Sequence, residues 1–166
     1  TTIEKLEEKF SIAAETSYAN YSFMFGGTND NLSEIKKVDK KTVAGLKLFL
    51  GSSTGNMLVD NEDVIREIFK STDLLISVHC EDEATIKENL AIYTERYGDD
   101  IPINMHPIIR SADACYISSS RAIALAKETG ARLHVFHLST AKEMDLFDNK
   151  IPLKDKKITA EVCIHH

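Results

Sequence analysis

A chain of 166 residues can bury one core, and 43% apolar with 28% charged residues is the composition of a globular domain. The net charge of −6, from 26 acidic and 20 basic side chains without a basic cluster, argues against nucleic-acid binding; no apolar run approaches the length of a membrane span. Three widely spaced cysteines, Cys80, Cys115 and Cys163, with no C-x-x-C, argue against a disulfide scaffold or a zinc knuckle and suit a reducing cytoplasm, and no signal-peptide pattern is seen.

Ile3, Leu6, Phe10, Ala13 and Ala14 have helical spacing and predict a helix over 3–16, with Thr1 and Glu4 as its capping box. The aromatic run 19–26 predicts a strand, so the Asn20-Tyr21-Ser22 sequon inside it is discounted. A short helix follows over 31–38, then a strand over 43–50. Asp60, with Asp63 three residues on, caps a predicted helix to Ser71 that buries Val64, Ile65, Ile68 and Phe69. A strand over 74–79 leads to a helix over 83–97, stopped by Gly98. The stretch 101–110 holds Pro102 and Pro107 and is less regular. A helix from about Ala112 to Thr129 ends at Gly130, followed by a strand over 132–138. Thr140 and Glu143 cap a predicted helix through Phe147, and a last strand over 157–164 runs into His165-His166.

Five strands alternating with helices predict right-handed βαβ units and a parallel sheet. The apolar runs 74–78 and 133–136 predict strands buried on both faces. Five strands do not close a (β/α)8 barrel, so an open doubly wound sheet is the alternative. A chain that opens on a helix and ends on a strand reads as cut at both ends.

Lys47 lies inside the apolar run Val43-Ala44-Gly45-Leu46-Lys47-Leu48-Phe49-Leu50-Gly51. A bare buried ammonium costs several kcal/mol or gives up its proton. Lys47 therefore faces solvent at a strand end, pairs with a carboxylate, or is chemically modified. His79 and His137 end two later strands, and functional residues gather at such strand ends in parallel α/β folds. Imidazole suits zinc, and a neutral lysine that takes up carbon dioxide becomes a carbamate able to bridge two metals. Lys47, His79 and His137 are thus candidate metal ligands. His106, His134, His165 and His166 are read as ordinary packed or solvated histidines. Glu81 shares the strand parity of His79 and either contacts the site or serves as a helix N-terminal acid. Arg110 is an anion clamp or, more ordinarily, part of a surface salt bridge. The segment Gly51-Ser52-Ser53-Thr54-Gly55-Asn56 lacks the Gly-Lys-Ser/Thr ending of a P-loop and is read as a strand-to-helix turn.

Taken together, several segments resemble the dihydroorotases of the amidohydrolase superfamily. They are Gly45 to Asn56, His79-Cys80-Glu81, His106-Pro107-Ile108-Ile109-Arg110-Ser111, His137-Leu138-Ser139-Thr140 and Glu161-Val162-Cys163-Ile164-His165-His166. The resemblance runs essentially the whole length and implies a zinc-dependent (β/α)8 barrel that interconverts N-carbamoyl-L-aspartate and dihydroorotate in pyrimidine biosynthesis through a zinc-bound hydroxide. It implies Lys47 as the carboxylated bridging ligand of one or two zinc ions, and His79 and His137 on the second metal. The family's first-strand His-x-His, the arginine after it and the eighth-strand Asp have no counterpart among these residues. The expectation is a single incomplete barrel domain over 1–166, comprising strands three to seven. Alone it is expected to be inactive, with exposed sheet edges that favour association into a homo-oligomer.

Three other readings stay open. A hydantoinase or allantoinase would share much of the metal site. A class I aldolase would use Lys47 for a Schiff base but leaves His79 and His137 unexplained. A metal-free amidohydrolase-like scaffold would have no physical need for a buried lysine.

Overall fold

The structure, a computed structural model, describes every residue except Ser52 and Thr54, so the Gly51–Asn56 turn reading lies in part outside the described residues. Helix α1 spans Ile3–Thr16 and is capped by Thr2, whose hydroxyl accepts from the Lys5 amide, rather than by Thr1. Lys5 occupies the third helical position, so the predicted capping box with Glu4 does not form. Strand β1 is only Met24–Gly26. The aromatics before it pack on α1, with the Phe10 and Phe23 rings 4.9 Å apart, and the sequon lies exposed outside the strand.

Helix α2, Leu32–Ile35, is a single turn. Its preceding Asn31 side chain does not cap it but binds the loop, accepting from the Thr28 amide and donating to the Thr1 and Gly26 carbonyls. Strand β2 is Gly45–Phe49. Asn61, not Asp60, caps α3 (Glu62–Ser71), because Asp60 accepts from the Asn29 side chain. Ile68 and Phe69 are buried as expected, and Val64 and Ile65 pack partly buried against the core. Strand β3 is Leu75–His79, and α4 is Glu83–Tyr97, capped by Asp82. A 3-10 turn, Ile103–Met105, leads into α5, His106–Ile109. Helix α6, Ala112–Thr129, ends at Gly130 in the left-handed region with φ 74°. Strand β4 is Arg132–Val135. The helix expected through Phe147 is one turn, α7, Ala141–Met144, and the Thr140 hydroxyl donates to the Glu143 carboxylate instead of capping the backbone. Strand β5 is Ile158–Ala160.

All five strands are parallel and lie in the order β1-β2-β3-β4-β5. Sequential order with right-handed crossovers places the connections on one side, as in a barrel wall; a doubly wound sheet reverses its strand order to use both sides. The molecule is a partial barrel.

The two faces of this wall differ. Leu46, Leu48, Ile76, Val78, Leu133 and Val135 belong to the buried core. The intervening residues form a register line in which Lys47 pairs with Ser77, Ser77 with His134 and His134 with Thr159. Successive side chains alternate between faces, so this line and the Phe49–His79 pair above it share the other face. That face is polar and only partly covered at Lys47, His79, His134 and Thr159. The expectation of strands buried on both faces holds in the middle of β3, where Ser77 is 1% exposed, and is corrected for β4, where His134 is only partly covered on the open side.

Candidate metal centre

Lys47 projects from β2 onto the open face, with its Nζ 3.8 Å from the centre of the Phe136 ring and 4.9 Å from that of Phe49. Aromatic faces attract the ammonium but replace little of its lost hydration. Burial pulls its pKa down from the usual lysine value to about 8, against the opposing pull of Cys80 and Glu161. Among the described residues no carboxylate is ion-paired with Lys47, so of the three resolutions open to a lysine in an apolar run the carboxylate pair is the one the fold does not supply; burial favours the neutral amine that modification requires.

His79 ends β3 on the same face. Its Nδ1 lies 3.0 Å from Nε2 of His137, and its Nε2 lies 2.8 Å from Glu81 Oε2. Strand parity would send residue 137 to the helix-covered side with Leu133 and Val135. A positive φ of 39° at His137 turns its imidazole to the rim instead, and no other non-glycine residue among those described has a positive φ. Ladder bonds on either side hold this kink: the Phe136 amide donates to the Val78 carbonyl and the Leu138 amide to that of Glu161. Burial depresses the His137 pKa, and the neighbouring His79 and Lys47 charges lower it further. A neutral imidazole with a free lone pair is the form that ligates a metal.

Arg110 is not in a surface salt bridge. Its Nε donates to Glu81 Oε1 at 2.9 Å and its Nη2 donates to Oε2, a bidentate fork on a carboxylate only 6% exposed. Burial alone would raise the Glu81 pKa, but the bonds from His79 and Arg110 outweigh it and hold the carboxyl at about 2. One edge of the guanidinium, Nε and Nη2, is thus committed to Glu81. The helix-cap role open to Glu81 falls to Asp82, whose carboxylate accepts from the Thr85 amide.

His79, Glu81, Arg110, Phe136, His137 and Glu143 line one cleft of about 480 Å³, to which His106 also contributes. Glu143, which the sequence offers only as a helix-cap partner, is 2% exposed and accepts from the hydroxyls of Ser119 and Thr140. His134 stays outside this cleft, with Nδ1 2.8 Å from Thr159 Oγ1 and Nε2 3.1 Å from Glu161.

Among the described residues, two sets are placed to hold a metal. The first is the facing pair His79 Nδ1 and His137 Nε2, with Lys47 nearby. Tetrahedral ligands at zinc–nitrogen distances of roughly 2.0–2.1 Å stand about 3.3 Å apart, so this pair needs to open by only a few tenths of an ångström. The second set is Cys163, His165 and His166, whose ligand atoms all lie within 4.8 Å of one another. A turn closed by the His166 amide on the Cys163 carbonyl creates it, and the C-x-H-H spacing was its sequence signal.

No family model matches the chain. Among curated proteins, an allantoinase of Streptomyces avermitilis is 27% identical over 170 residues, covering 100% of this chain and 37% of its own length. A dihydroorotase of Deinococcus radiodurans is 31% identical over 149 residues, covering 85% of this chain and 32% of its own. The chain thus spans about a third of the length of the curated relatives it matches. The L-hydantoinase structure from Arthrobacter aurescens superimposes with a TM-score of 0.87 at 24% identity, covering 98% of this chain and 36% of that one, which shows the barrel fold.

Proposed function

We propose, from the homology of this chain to the cyclic amidohydrolases, that it carries the lysine–histidine half of a zinc-dependent active site that opens and closes a cyclic amide. The observation that carries the reading is the 3.0 Å approach of His79 Nδ1 to His137 Nε2 on the rim, beside a Lys47 whose pKa burial lowers to about 8. Dihydroorotase is the specific activity we assign, with N-carbamoyl-L-aspartate and dihydroorotate as the small-molecule pair. The segments His79-Cys80-Glu81, His137-Leu138-Ser139-Thr140 and Glu161 to His166 support it.

In this reading His79 and His137 would hold zinc. The neutral Lys47 amine would form a nitrogen–carbon bond to carbon dioxide and release a proton, giving a carbamate whose carboxylate would be a further metal ligand. Zinc would supply an activated water and polarise the ring carbonyl. The polar open face receives the substrate, while the apolar face keeps the strands in register. No His-x-His occurs in the 166 residues, and turnover is assigned to a complete barrel rather than to this chain alone.

Zinc content per chain after exhaustive dialysis tests the metal reading, in the unaltered protein and in His79→Asn, His137→Asn and Cys163→Ser. Zinc lost from the two histidine variants but kept in Cys163→Ser is expected. Loss only in Cys163→Ser would move the metal to the Cys163 cluster and sink the reading. Assays of the full-length protein with dihydroorotate, hydantoin and allantoin decide the substrate, and turnover of hydantoin or allantoin alone would replace the dihydroorotase assignment. Borohydride trapping of a carbonyl substrate on Lys47 would instead reveal an aldolase.

A further inference from the structure

We propose that Glu81, clamped by Arg110, is a positioning residue that fixes His79 as the tautomer protonated on Nε2, leaving the Nδ1 lone pair aimed at the His137 side of the rim. The assignment follows from counting donors. Arg110 is always a donor and spends both Nε and Nη2 on the two oxygens of Glu81. The carboxylate facing that fork is an acceptor only. Glu81 Oε2 also lies 2.8 Å from His79 Nε2, and two bare acceptors would repel at that distance. The proton of that contact therefore belongs to His79 Nε2. In the neutral ring Nδ1 is then unprotonated, and it is the atom that faces His137 Nε2 at 3.0 Å. In the metal-free chain the proton between the two rings must come from His137.

The arrangement is built to be rigid. Glu81 is 6% exposed and reaches His79 from two residues further along the same chain segment. Arg110 comes from the other side, just after α5, and its carbonyl-side neighbour Ser111 caps α6 through a bond from the Ala114 amide. The Asp82 amide donates to the Ala114 carbonyl, tying the same two segments together again. An imidazole held by a carboxylate at one nitrogen is a more basic and better oriented ligand at the other, and loss of such a partner typically weakens metal binding by roughly 10–100-fold.

This proposal deepens the metal reading and rests on it for its purpose, but its geometry can be tested without metal. Long-range proton–nitrogen NMR correlations of the metal-free protein at pH 8 report which His79 nitrogen carries the proton. Protonation at Nε2 in the unaltered protein is expected, with mixed tautomers in Glu81→Gln and in Arg110→Gln. A His79 protonated on Nδ1 in the unaltered protein, where no variant has to fold, overturns the proposal whatever the zinc result. Zinc titration is the second arm: a 10–100-fold weaker Kd in Glu81→Gln is expected. An Nε2-protonated His79 in a chain that binds no zinc would leave the lock standing and refute the metal reading instead; unchanged zinc affinity in a folded Glu81→Gln would refute the positioning role.

Discussion

Nδ1 of His79 and Nε2 of His137 meet at 3.0 Å although 58 residues separate them. His79 arrives by strand parity alone, whereas His137 arrives only because its backbone leaves the extended region at φ 39°. A non-glycine residue held there costs on the order of 1 kcal/mol or more, and such strain persists where the surrounding ladder imposes it. The pairing is therefore a property of the β3–β4 junction and not of either histidine separately.

Lys47 gives stability a defined pH dependence. Its folded pKa of about 8 lies below the ordinary lysine value of 10.5, so between these limits the unfolded chain binds a proton that the folded chain does not. Stability consequently rises with pH from about 8 to 10.5, and below 8 the full cost of burying the ammonium is present. Lys47→Met removes this contribution. At pH 7 the variant is expected to be more stable by about 1–2 kcal/mol, after discounting for partial solvent access, and the difference should vanish near pH 10.5. Urea unfolding of both proteins at pH 7, 8.5 and 10 checks it; a difference independent of pH would contradict the assignment.

Gly51 stands where the ends of β2 and β3 touch. A Cβ there would collide with the carbonyl oxygen of Glu81 and lie 2.8 Å from its carbonyl carbon, both rigid backbone atoms. Gly51→Ala is expected to destabilise the fold by about 1–3 kcal/mol and to displace Glu81 from Arg110. Chemical denaturation measures the first effect and the His79 imidazole resonances the second. An unperturbed His79 in a destabilised variant would show that the rim adapts to the push.

The thiols should separate by reactivity. Burial pushes Cys80 up to about 12 and Cys115 up to about 11, so at pH 8 no more than about one molecule in a thousand carries either as thiolate. Cys163, on the turn with His165 and His166, should react first with a disulfide reagent, and all three should react in urea. Zinc that slows the fast thiol occupies the Cys163 turn; zinc that leaves its rate unchanged while binding stoichiometrically occupies the histidine pair. Rapid labelling of Cys80 in the native protein would contradict its placement in the core.

The order of elements and the identity of the chemically unusual residues were legible in the sequence by itself. Helices α4 and α6 have their expected limits because apolar spacing and terminal glycines are local signals, and the structure adds the Asp82 and Ser111 caps. Lys47 was conspicuous because a charge in an apolar run is expensive wherever the run ends up. Strands β1 and β5 and the single-turn α7 are shorter than the sequence pattern predicts, because aromatic and polar residues that flank an element continue its local pattern without joining its hydrogen bonding. Only the tertiary structure decided that one sheet face is apolar and the other polar, that Arg110 is spent on Glu81, and that Glu143 is buried with Ser119 and Thr140. It also decided the turn of His137 toward His79. Periodicity is written into neighbouring residues, whereas a donor's partner 29 residues away, or a backbone kink held by two ladder bonds, exists only once the strands are side by side.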